Sequence, residues 1–381
     1  MIVHVTTQGA RIIREGRHLL VCKNNDVYHT LFPHRLDQLI LHGNITLTPM
    51  ALGMLFAVGV DTVFLRRDGR YKGRLSLSEP RNVFLRKRQF ALIDDDEFRQ
   101  QMAASLVQGK LYNMATLLMR IKRARKIKQL KRLVEDIRRY AHKAGTADNL
   151  DTLRGLEGMA SRLYFQGLGK GFQQDFGFHK RIRRPPTDPV NSVLSLLYTF
   201  CINRMYAAVR QAGLDPAPGA LHDLEYGRNA LPLDLVEEFR PIVADALTLS
   251  LFNLGVLGTD DFIVLQRERQ QNVQQKRDAI DAVVHDPMHA IEHEEDDTCF
   301  DMPDQMMPET THASEGKQPI RLQNSAFKRV VTAFEKKMDD EFYHPLAETR
   351  MSYGQAMVFQ AKLYRRVVEG EAAQYQPLLL K

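Results

Sequence analysis

The pattern of apolar residues differs between the two parts of the chain: short runs closed by turn residues come first, and apolar residues at spacings of three and four follow. Residues 1 to about 90 contain short runs rich in Val, Leu, Ile, Phe and Tyr, each closed by Asn, Asp, Gly or Pro, such as HLLVCKNN, DVYHTLF, QLILHG and DTVFLRR. Such runs predict strands joined by turns. TPMALGMLFAVG predicts one short helix, with Thr48 as N-cap and Pro49 as its first residue. We therefore expect a β-rich N-terminal domain.

Beyond a linker predicted around Asn82 to Asp96, apolar residues recur at spacings of three and four, which indicates helices. A mostly apolar helix pair is expected from Leu233 to Gly255, broken or kinked at Pro241 because proline lacks a backbone N–H. Helices are also expected in Asn324 to Lys381. The predicted fold class is α+β: a β-rich domain at 1–90, then a larger all-α catalytic domain at 91–381. An acidic, Met-rich part at about 285–320 is predicted to be flexible.

The stretch Gly213 to Pro241 concentrates the candidate chemistry. Its lone histidine, His222, follows a turn rich in Gly and Pro. The next helix is expected to begin at Pro232, and its start carries three carboxylates, those of Asp234, Glu237 and Glu238. At spacings of three and four these acids share one helix face. Imidazole and carboxylates converging from a loop and a helix can hold a divalent metal. An acidic helix start beside a solvated histidine explains the same residues.

Glu157 lies one residue off a buried stripe of an expected helix from Asn149 to Gly167, between Gly155 and Gly158. Glycine inside a helix costs roughly 1 kcal/mol, so we expect another element to approach closely there. A carboxylate at the edge of a buried face also needs a partner. That partner is either an ordinary salt bridge or a metal ion.

Basic residues are dense from Arg120 to Lys143. Such a run is typical of a solvated helix face, and it can equally follow a phosphate backbone with salt-dependent affinity. The general candidates for DNA contact are Lys110, Arg120, Arg123 and Arg125. Gly169 to Arg184 mixes aromatic residues and cations, which either stack on a nucleic acid strand or pack against the core.

The next helix is expected to begin with Asp188 as N-cap and Pro189 as first residue, and to end at Gly213. Three polar residues fall on one of its faces: Asn191, Ser195 and Tyr198. Polar residues at such spacings are most often simply exposed, so the pattern alone assigns them no function.

Composition narrows the class of protein. The 381 residues carry a formal charge of +7, which favours an anionic partner such as nucleic acid and also fits a basic enzyme. MIVHVTTQGAR lacks the apolar core of a signal peptide, and no apolar run approaches a membrane span, the longest candidate being Leu247 to Gly258. The three cysteines are far apart and form no C-x-x-C pair. We expect a cytoplasmic protein that does not bind a membrane.

Four motifs occur in order between Leu153 and Pro241. They are E-G-x-x-x-R-x-Y-F, R-P-P-x-D-P-x-N-x-x-L-S-x-x-Y, G-L-D-P-x-x-G-x-L-H and L-D-L-x-E-E-F-R-P. Together they closely resemble the CRISPR-associated integrase and endonuclease of spacer acquisition, the family of the first-numbered Cas protein. The remainder of the chain resembles that family only in outline. Four ordered motifs at compatible spacings are much more specific than any one of them.

The resemblance implies a site and a reaction. The implied metal ligands are Glu157, His222 and Glu237, with Asp234 as a further catalytic acid beside them. Two carboxylates and an imidazole suit Mg²⁺ or Mn²⁺. The family joins the 3′-hydroxyl of a captured DNA fragment to a phosphodiester of the CRISPR repeat by transesterification, and it also cuts DNA. The residues implied to bind DNA or line the site are Arg162, Tyr164, Arg184, Asn191, Ser195 and Tyr198.

The resemblance also implies partners: double-stranded and branched DNA, a second copy of the chain bound through the β-rich domain, and the small second-numbered Cas protein. Two other functions remain open, a non-catalytic DNA-binding scaffold subunit and a metal hydrolase of a small phosphorylated substrate. Intact ligand types favour the integrase over the scaffold. The positive charge favours it over the small-molecule hydrolase.

Overall fold

The computed structural model describes residues 1–24, 26–75, 82–182, 185–264 and 319–380. Arg184 lies outside these residues, and so does the predicted flexible segment at about 285–320 except for its last two residues. The N-terminal part contains helix α1 (Pro49–Val58) and the strands β1 (Ile2–Val5), β2 (Ala10–Glu15), β3 (His18–Lys23), β4 (Asp26–Leu31), β5 (Gln38–His42), β6 (Ile45–Leu47), β7 (Asp61–Leu65) and β8 (Tyr71–Leu75). The predicted β-rich region is therefore confirmed.

These strands form two four-stranded sheets, in the orders β4-β3-β2-β6 and β1-β5-β7-β8. In the second sheet β5 runs parallel to both β1 and β7, and β8 closes the edge antiparallel to β7. Side chains from both sheets and from α1 share one apolar core, represented by Ile12, Leu39 and Leu55. Thr48 caps α1 by accepting a hydrogen bond from the Ala51 N–H, as the sequence predicted.

The rest of the described chain is mostly helical. Its helices are α2 (Val83–Ile93), α3 (Asp96–Arg125), α4 (Leu130–Ala144), α5 (Leu150–Gly169), α6 (Pro189–Gln211), α7 (Ala230–Leu235), α8 (Ala246–Asn253), α9 (Asn324–Asp339) and α10 (Tyr353–Glu369). Two antiparallel strand pairs interrupt them: β9 (Phe262–Val264) with β10 (Ile320–Leu322), and β11 (Glu341–His344) with β12 (Thr349–Ser352). The α+β class is confirmed, and the C-terminal stretch contains a hairpin besides its helices.

The predicted linker at Asn82 to Asp96 is wrong, because α2 occupies most of it. Asn82 accepts a hydrogen bond from the Leu85 N–H and so caps the helix. The buried face consists of Leu85, Gln89 and Ile93, at a spacing of four. Its middle member is a glutamine, whose amide donates to the Asp215 carbonyl and accepts from the Asp215 N–H. Because a polar residue interrupts the apolar stripe, the sequence pattern does not predict this helix.

Helix α6 passes through the core, beginning at Pro189 behind the Asp188 cap and ending before Gly213, which has φ +77. In the described part of the chain it is the one helix long and apolar enough to cross a membrane, and most of it is buried inside the protein. This helix differs from the longest apolar run expected from the sequence, Leu247 to Gly258. Burial on nearly every side explains the apolar composition of α6 without a bilayer.

The acidic stretch after the loop is not the helix that the sequence predicted. Helix α7 begins at Ala230, two residues before Pro232, and ends at Leu235, so it has no acid in its first turn. A turn at 236–238 follows, and the chain then enters a π-helical turn, Arg240–Asp245. The expected break near Pro241 is present. Stabilisation of the three acids by the dipole at a helix start is absent, because the helix is too short and starts too early.

Candidate metal centre

Three elements bring charged side chains to one buried point. Helix α3 contributes Lys110, helix α5 contributes Glu157, and the turn after α7 contributes Glu237. Lys110 Nζ lies 2.5 Å from Glu157 Oε1 and 2.7 Å from Glu237 Oε2. Ser161, one helical turn after Glu157, donates its hydroxyl to the same Oε1 at 2.8 Å. The two acids implied as metal ligands are therefore neighbours in space, although 80 residues separate them in sequence.

A second buried cation, Arg240, completes this cluster. Its Nη1 lies 3.1 Å from Glu237 Oε1, so Glu237 has one cation at each oxygen. Burial opposes ionisation of Glu237, but Arg240, Lys110 and His222 outweigh it and lower its pKa to about 2. Burial likewise opposes the charges of Glu157 and Lys110. Their mutual attraction nevertheless lowers the pKa of Glu157 and raises the pKa of Lys110.

His222 is held by Asp234. Its Nδ1 lies 2.6 Å from Asp234 Oδ1, and its backbone N–H donates to the same oxygen at 3.1 Å. Asp234 Oδ2 accepts from the N–H groups of Ala220 and Leu221, so the fully buried carboxylate ties down the loop before α7. A carboxylate at Nδ1 favours the tautomer with its proton on that nitrogen, and Nε2 would then be the nitrogen that can bind a metal.

The predicted shared face of Asp234, Glu237 and Glu238 is wrong, because α7 ends before Glu237. Asp234 binds the His222 loop, and Glu237 binds the buried cations. Glu238 turns to the C-terminal part of the chain, where its oxygens accept hydrogen bonds from Gln360, Tyr375 and the Leu378 N–H. Burial raises the pKa of Glu238 to about 8, although these hydrogen bonds oppose the shift. Glu238 is therefore a structural acid beside the cluster.

The two implied site-lining tyrosines converge on an acid that is not among the predicted site residues. Tyr164 of α5 and Tyr198 of α6 both donate to Asp245, at 2.6 and 2.8 Å. Burial raises the pKa of Asp245 to about 6, against the lowering effect of both hydroxyls. Arg240 lies over the Tyr198 ring at 5.0 Å from its centroid, which links this group to Glu237.

Asn191 and Ser195 hold an arginine in place. Asn191 Oδ1 and Ser195 Oγ accept hydrogen bonds from the Arg181 guanidinium at 2.9 and 3.0 Å, and the same guanidinium lies over the Tyr198 ring. Asn191 is fully buried. These polar residues therefore do not form the exposed face that their spacing usually indicates. They reach the candidate centre through Arg181 and Tyr198.

The other predicted residues are placed differently. Arg162 is exposed on α5, and Arg120, Arg123 and Arg125 are exposed at the end of α3. Lys110, proposed from sequence as a DNA contact, is instead buried between two acids. The expectation of a close neighbour at Gly155 and Gly158 is wrong for the described residues: a Cβ at either position would meet nothing within 4 Å. Aromatic residues of the following loop, Phe172, Phe176 and Phe178, pack into the core.

The carboxylates and the imidazole are residue types that can bind a divalent metal. A lysine lies among them. No three His, Cys, Asp or Glu side chains in the described ranges lie close enough together to hold a metal. The ammonium of Lys110 lies between Glu157 and Glu237. Glu237 Oε2 is buried and, apart from this ion pair, has no hydrogen-bond partner among the described residues. Carboxylate oxygens are the ligands that Mg²⁺ and Mn²⁺ prefer.

Sequence reasoning missed the roles of Lys110, Arg240 and Asp245. Two of them left a signal. Arg240 lies three residues after Glu237, a spacing that permits an ion pair in a helical segment. Asp245 is a lone carboxylate within an apolar run, and such a residue needs buried partners. Lys110 left none, because its two partners are distant in sequence.

The known proteins that this chain is similar to agree on one family. A family model described as CRISPR associated protein Cas1 matches residues 3–285. The CRISPR-associated endonuclease Cas1 1 of Chlorobaculum tepidum is 28% identical over 383 residues, which cover 98% of this chain and 97% of the relative. An exonuclease Cas4/endonuclease Cas1 fusion of Rhodospirillum rubrum is 29% identical over 375 residues, covering 97% of this chain. The chain spans 56% of the length of that fusion.

Two solved structures share the fold. A casposase bound to integration product superposes with a TM-score of 0.77 at 17% identity, covering 98% of this chain and 92% of the casposase chain. A chain of a Cas6-RT-Cas1–Cas2 complex gives a TM-score of 0.77 at 23% identity, covering 100% of this chain and 36% of that one. At such identities the superpositions show a common fold and nothing finer.

Proposed function

Because this chain belongs to the Cas1 family, we propose that it is a divalent-metal-dependent DNA integrase and endonuclease of CRISPR adaptation. The observation that carries the proposal is the meeting of Glu157 and Glu237 around one cation. His222, whose imidazole is held by Asp234, is near enough to Glu237 to lower its pKa. The endonuclease name of the C. tepidum relative and the integration product in the casposase structure support the same reaction class.

Glu157, His222 and Glu237 would hold Mg²⁺ or Mn²⁺. When bound, such an ion lowers the pKa of an attacking hydroxyl and offsets charge on a phosphoryl oxygen. Asp234 keeps the His222 proton on Nδ1, so that Nε2 stays available as a ligand. Arg240 keeps Glu237 ionised and therefore ready to bind a cation.

The reaction that we propose exchanges one phosphodiester for another. The 3′-hydroxyl of a captured fragment loses its proton and forms a bond to phosphorus in the repeat, and the bond from that phosphorus to the repeat's own 3′-oxygen breaks. The released 3′-oxygen takes up a proton, so no ATP and no covalent enzyme intermediate are required. Water in place of the hydroxyl turns the same exchange into DNA cleavage. The guanidinium of Arg181, which lies over the Tyr198 ring, favours an anionic backbone.

We further propose that the protein works in the cytoplasm on double-stranded and branched DNA. The exposed arginines at the end of α3 (Arg120, Arg123 and Arg125) and Arg162 on α5 support contact with the backbone. A homodimer formed through the β-rich domain and an assembly with the small Cas2 protein are the proposed oligomers. The Cas1–Cas2 complex among the structural neighbours supports the second of them.

A strand-joining assay tests the function. Purified protein is mixed with Cas2, a short DNA duplex with free 3′-hydroxyls and a supercoiled plasmid carrying the repeat, with Mn²⁺ or with EDTA. We expect joined product with Mn²⁺ only, and none for Glu157→Ala or His222→Ala. Asp151→Ala is the matched control, because Asp151 is an exposed acid in the first turn of the same helix as Glu157.

The donor DNA supplies a second control. A donor with 3′-deoxy ends cannot form the new bond, so product from it would contradict transesterification. DNA that binds with normal affinity but is neither joined nor cut under any metal would favour a non-catalytic scaffold subunit.

A further inference from the structure

Lys110 is the most unusual member of the cluster. It is a lysine with 6% relative exposure on the core face of α3, and both of its close partners are the acids that would bind metal. Together with Arg240 it balances the formal charges of Glu157 and Glu237. Taking ions out of water is costly, and a buried ion pair is maintained only when the partners and geometry offset that cost. The cluster meets this condition without any metal.

The ammonium and a divalent ion cannot share this position. A metal bound to both carboxylates would lie within a few ångströms of Nζ, and two positive charges at such a distance repel strongly where solvent is excluded. The flexible stem of lysine can carry its point charge elsewhere. Arg240 differs from Lys110 because its ion pair is with the other oxygen of Glu237 and it lies over the Tyr198 ring.

We propose that Lys110 is a built-in counter-cation, and that a divalent metal binds only by displacing its ammonium from Glu157 and Glu237. The inference rests on the metal site of the proposed function and adds a residue that regulates loading of that site. The ammonium keeps the two carboxylates ionised and close together in the metal-free protein. It also weakens metal binding, because the ion must break both ion pairs of a buried lysine to enter.

Metal binding to the wild-type protein and to Lys110→Met tests the proposal. Methionine is unbranched, only one atom shorter than lysine, and carries no charge. We expect Mn²⁺ to bind Lys110→Met at least about tenfold more tightly, because removing a buried ion-pair partner is worth several kcal/mol and each 1.4 kcal/mol is a factor of ten. Titration calorimetry and the loss of the free Mn²⁺ electron paramagnetic resonance signal measure the affinity without any DNA.

Lys170→Met is the matched control. Lys170 ends the same helix as Glu157, but it is exposed and its Nζ contacts only the Gln129 side chain among the described residues. The substitution Lys170→Met removes the same formal charge at a position about 20 Å from Glu157 along the helix. Its Mn²⁺ affinity should equal that of the wild type. Equal affinities for all three proteins would overturn the role of Lys110.

A measurement on the wild-type protein guards against misfolding of Lys110→Met. Acetylation of lysines by an amine-reactive reagent is followed by mass spectrometry, with and without saturating Mn²⁺. The buried ammonium of Lys110 should be protected in the metal-free protein, and Mn²⁺ should increase its labelling severalfold while Lys170 stays unchanged. Binding of Mn²⁺ with no change at Lys110 would refute displacement.

The two proposals fail in different ways. If neither wild type nor Lys110→Met binds Mn²⁺ or Mg²⁺, the metal site of the proposed function is wrong and the inference about Lys110 goes with it. If Mn²⁺ binds but the two affinities are equal, or if the labelling of Lys110 does not change, the metal site stands and the counter-cation role alone is excluded.

Discussion

At the scale of single residues, the candidate centre depends on carboxylates whose partners define their roles. Asp234 accepts hydrogen bonds from three backbone N–H groups and contacts the His222 imidazole, so both of its oxygens have partners at complete burial. Glu237 is held by two cations instead. Acids three residues apart therefore have different functions, one orienting the imidazole and one offering a binding oxygen.

Asp234→Asn should weaken metal binding. The amide that replaces the carboxylate cannot accept all of these hydrogen bonds, so His222 loses the partner that fixes its tautomer. We expect Mn²⁺ affinity to fall by about 10- to 100-fold, as for partners of metal-binding histidines generally. Calorimetric titration measures the affinity, and circular dichroism checks that the variant is folded.

Asp223→Asn is the control for this change. Asp223 belongs to the same loop, but it is half-exposed and pairs with Arg99 and Arg154. Its replacement should leave the Mn²⁺ affinity unaltered. Equal affinities for Asp234→Asn and the wild type would mean that the imidazole is not oriented through Asp234.

At the scale of elements, the loop that carries His222 packs against α7 at a glycine. A Cβ added to Gly219 would lie 2.6 Å from the Ala230 Cβ and 2.8 Å from Asp234 Oδ2, closer than atoms can approach. Absence of a side chain therefore lets the loop reach the Asp234 carboxylate. The sequence motif contains this glycine, but it does not indicate that Ala230 and Asp234 pack against it.

Gly219→Ala should destabilise the fold. The new methyl group would overlap the Ala230 Cβ and the Asp234 carboxylate, and neither can move easily. We therefore expect a loss of about 1–3 kcal/mol in the free energy of unfolding. Urea denaturation measures that loss. The displaced loop should also weaken Mn²⁺ binding, whereas a variant of unchanged stability and affinity would contradict this packing.

Gly158→Ala should have the opposite effect. Gly158 lies in α5 beside Glu157, and a Cβ there meets nothing within 4 Å. Alanine should raise the free energy of unfolding by roughly 0.5–1 kcal/mol, because it lowers the entropy lost when the helix forms. The same denaturation experiment tests it. A loss of stability would mean that another element packs on this glycine, as the sequence analysis expected.

At the scale of the whole molecule, buried histidines join the N-terminal sheets to the helices. His42 of β5 bonds to His4 of β1 at 2.8 Å and packs edge-on against Phe327 of α9. His4 in turn contacts Glu335 of α9, which also pairs with Arg204 of α6. This junction connects residues more than 300 positions apart, and it contains titratable groups far in sequence from the candidate centre.

The junction should make stability depend on pH. Burial, assisted by His4, lowers the pKa of His42 from 6.5 to about 3. The unfolded chain therefore binds a proton between these pH values that the folded chain excludes. Stability is lost as pH falls through 6.5, by about 2 kcal/mol between pH 7 and pH 5 from this residue. Urea denaturation of wild type and His42→Gln should show a correspondingly smaller fall in the variant.

His18→Gln is the control for other histidines. His18 is partly exposed in β3 and pairs only with Glu15 in the described structure, so its replacement should leave the wild-type slope nearly unaltered. If His42→Gln and the wild type lose the same stability between pH 7 and pH 5, His42 does not titrate as its burial requires.

Much of the fold followed from local sequence. Alternating apolar runs closed by turn residues gave the strands, and caps such as Thr48 and Asp188 marked helix starts, because both are decided by neighbours in the chain. Helix α2 was missed since Gln89 lies in its buried face. The predicted start of α7 was wrong: proline is a favourable first helical residue, which pointed to Pro232, but the helix begins two residues earlier, at Ala230.

Residue types and their order by themselves determined the class of fold, the family resemblance and the choice of Glu157, His222 and Glu237. Only the tertiary structure decided what lies between them. The partners of Lys110, the turn of Glu238 towards the C-terminal residues and the meeting of Tyr164 and Tyr198 at Asp245 depend on how separate helices pack. Ion pairs and hydrogen bonds act over a few ångströms, so distance in space selects them, and spacing along the chain does not.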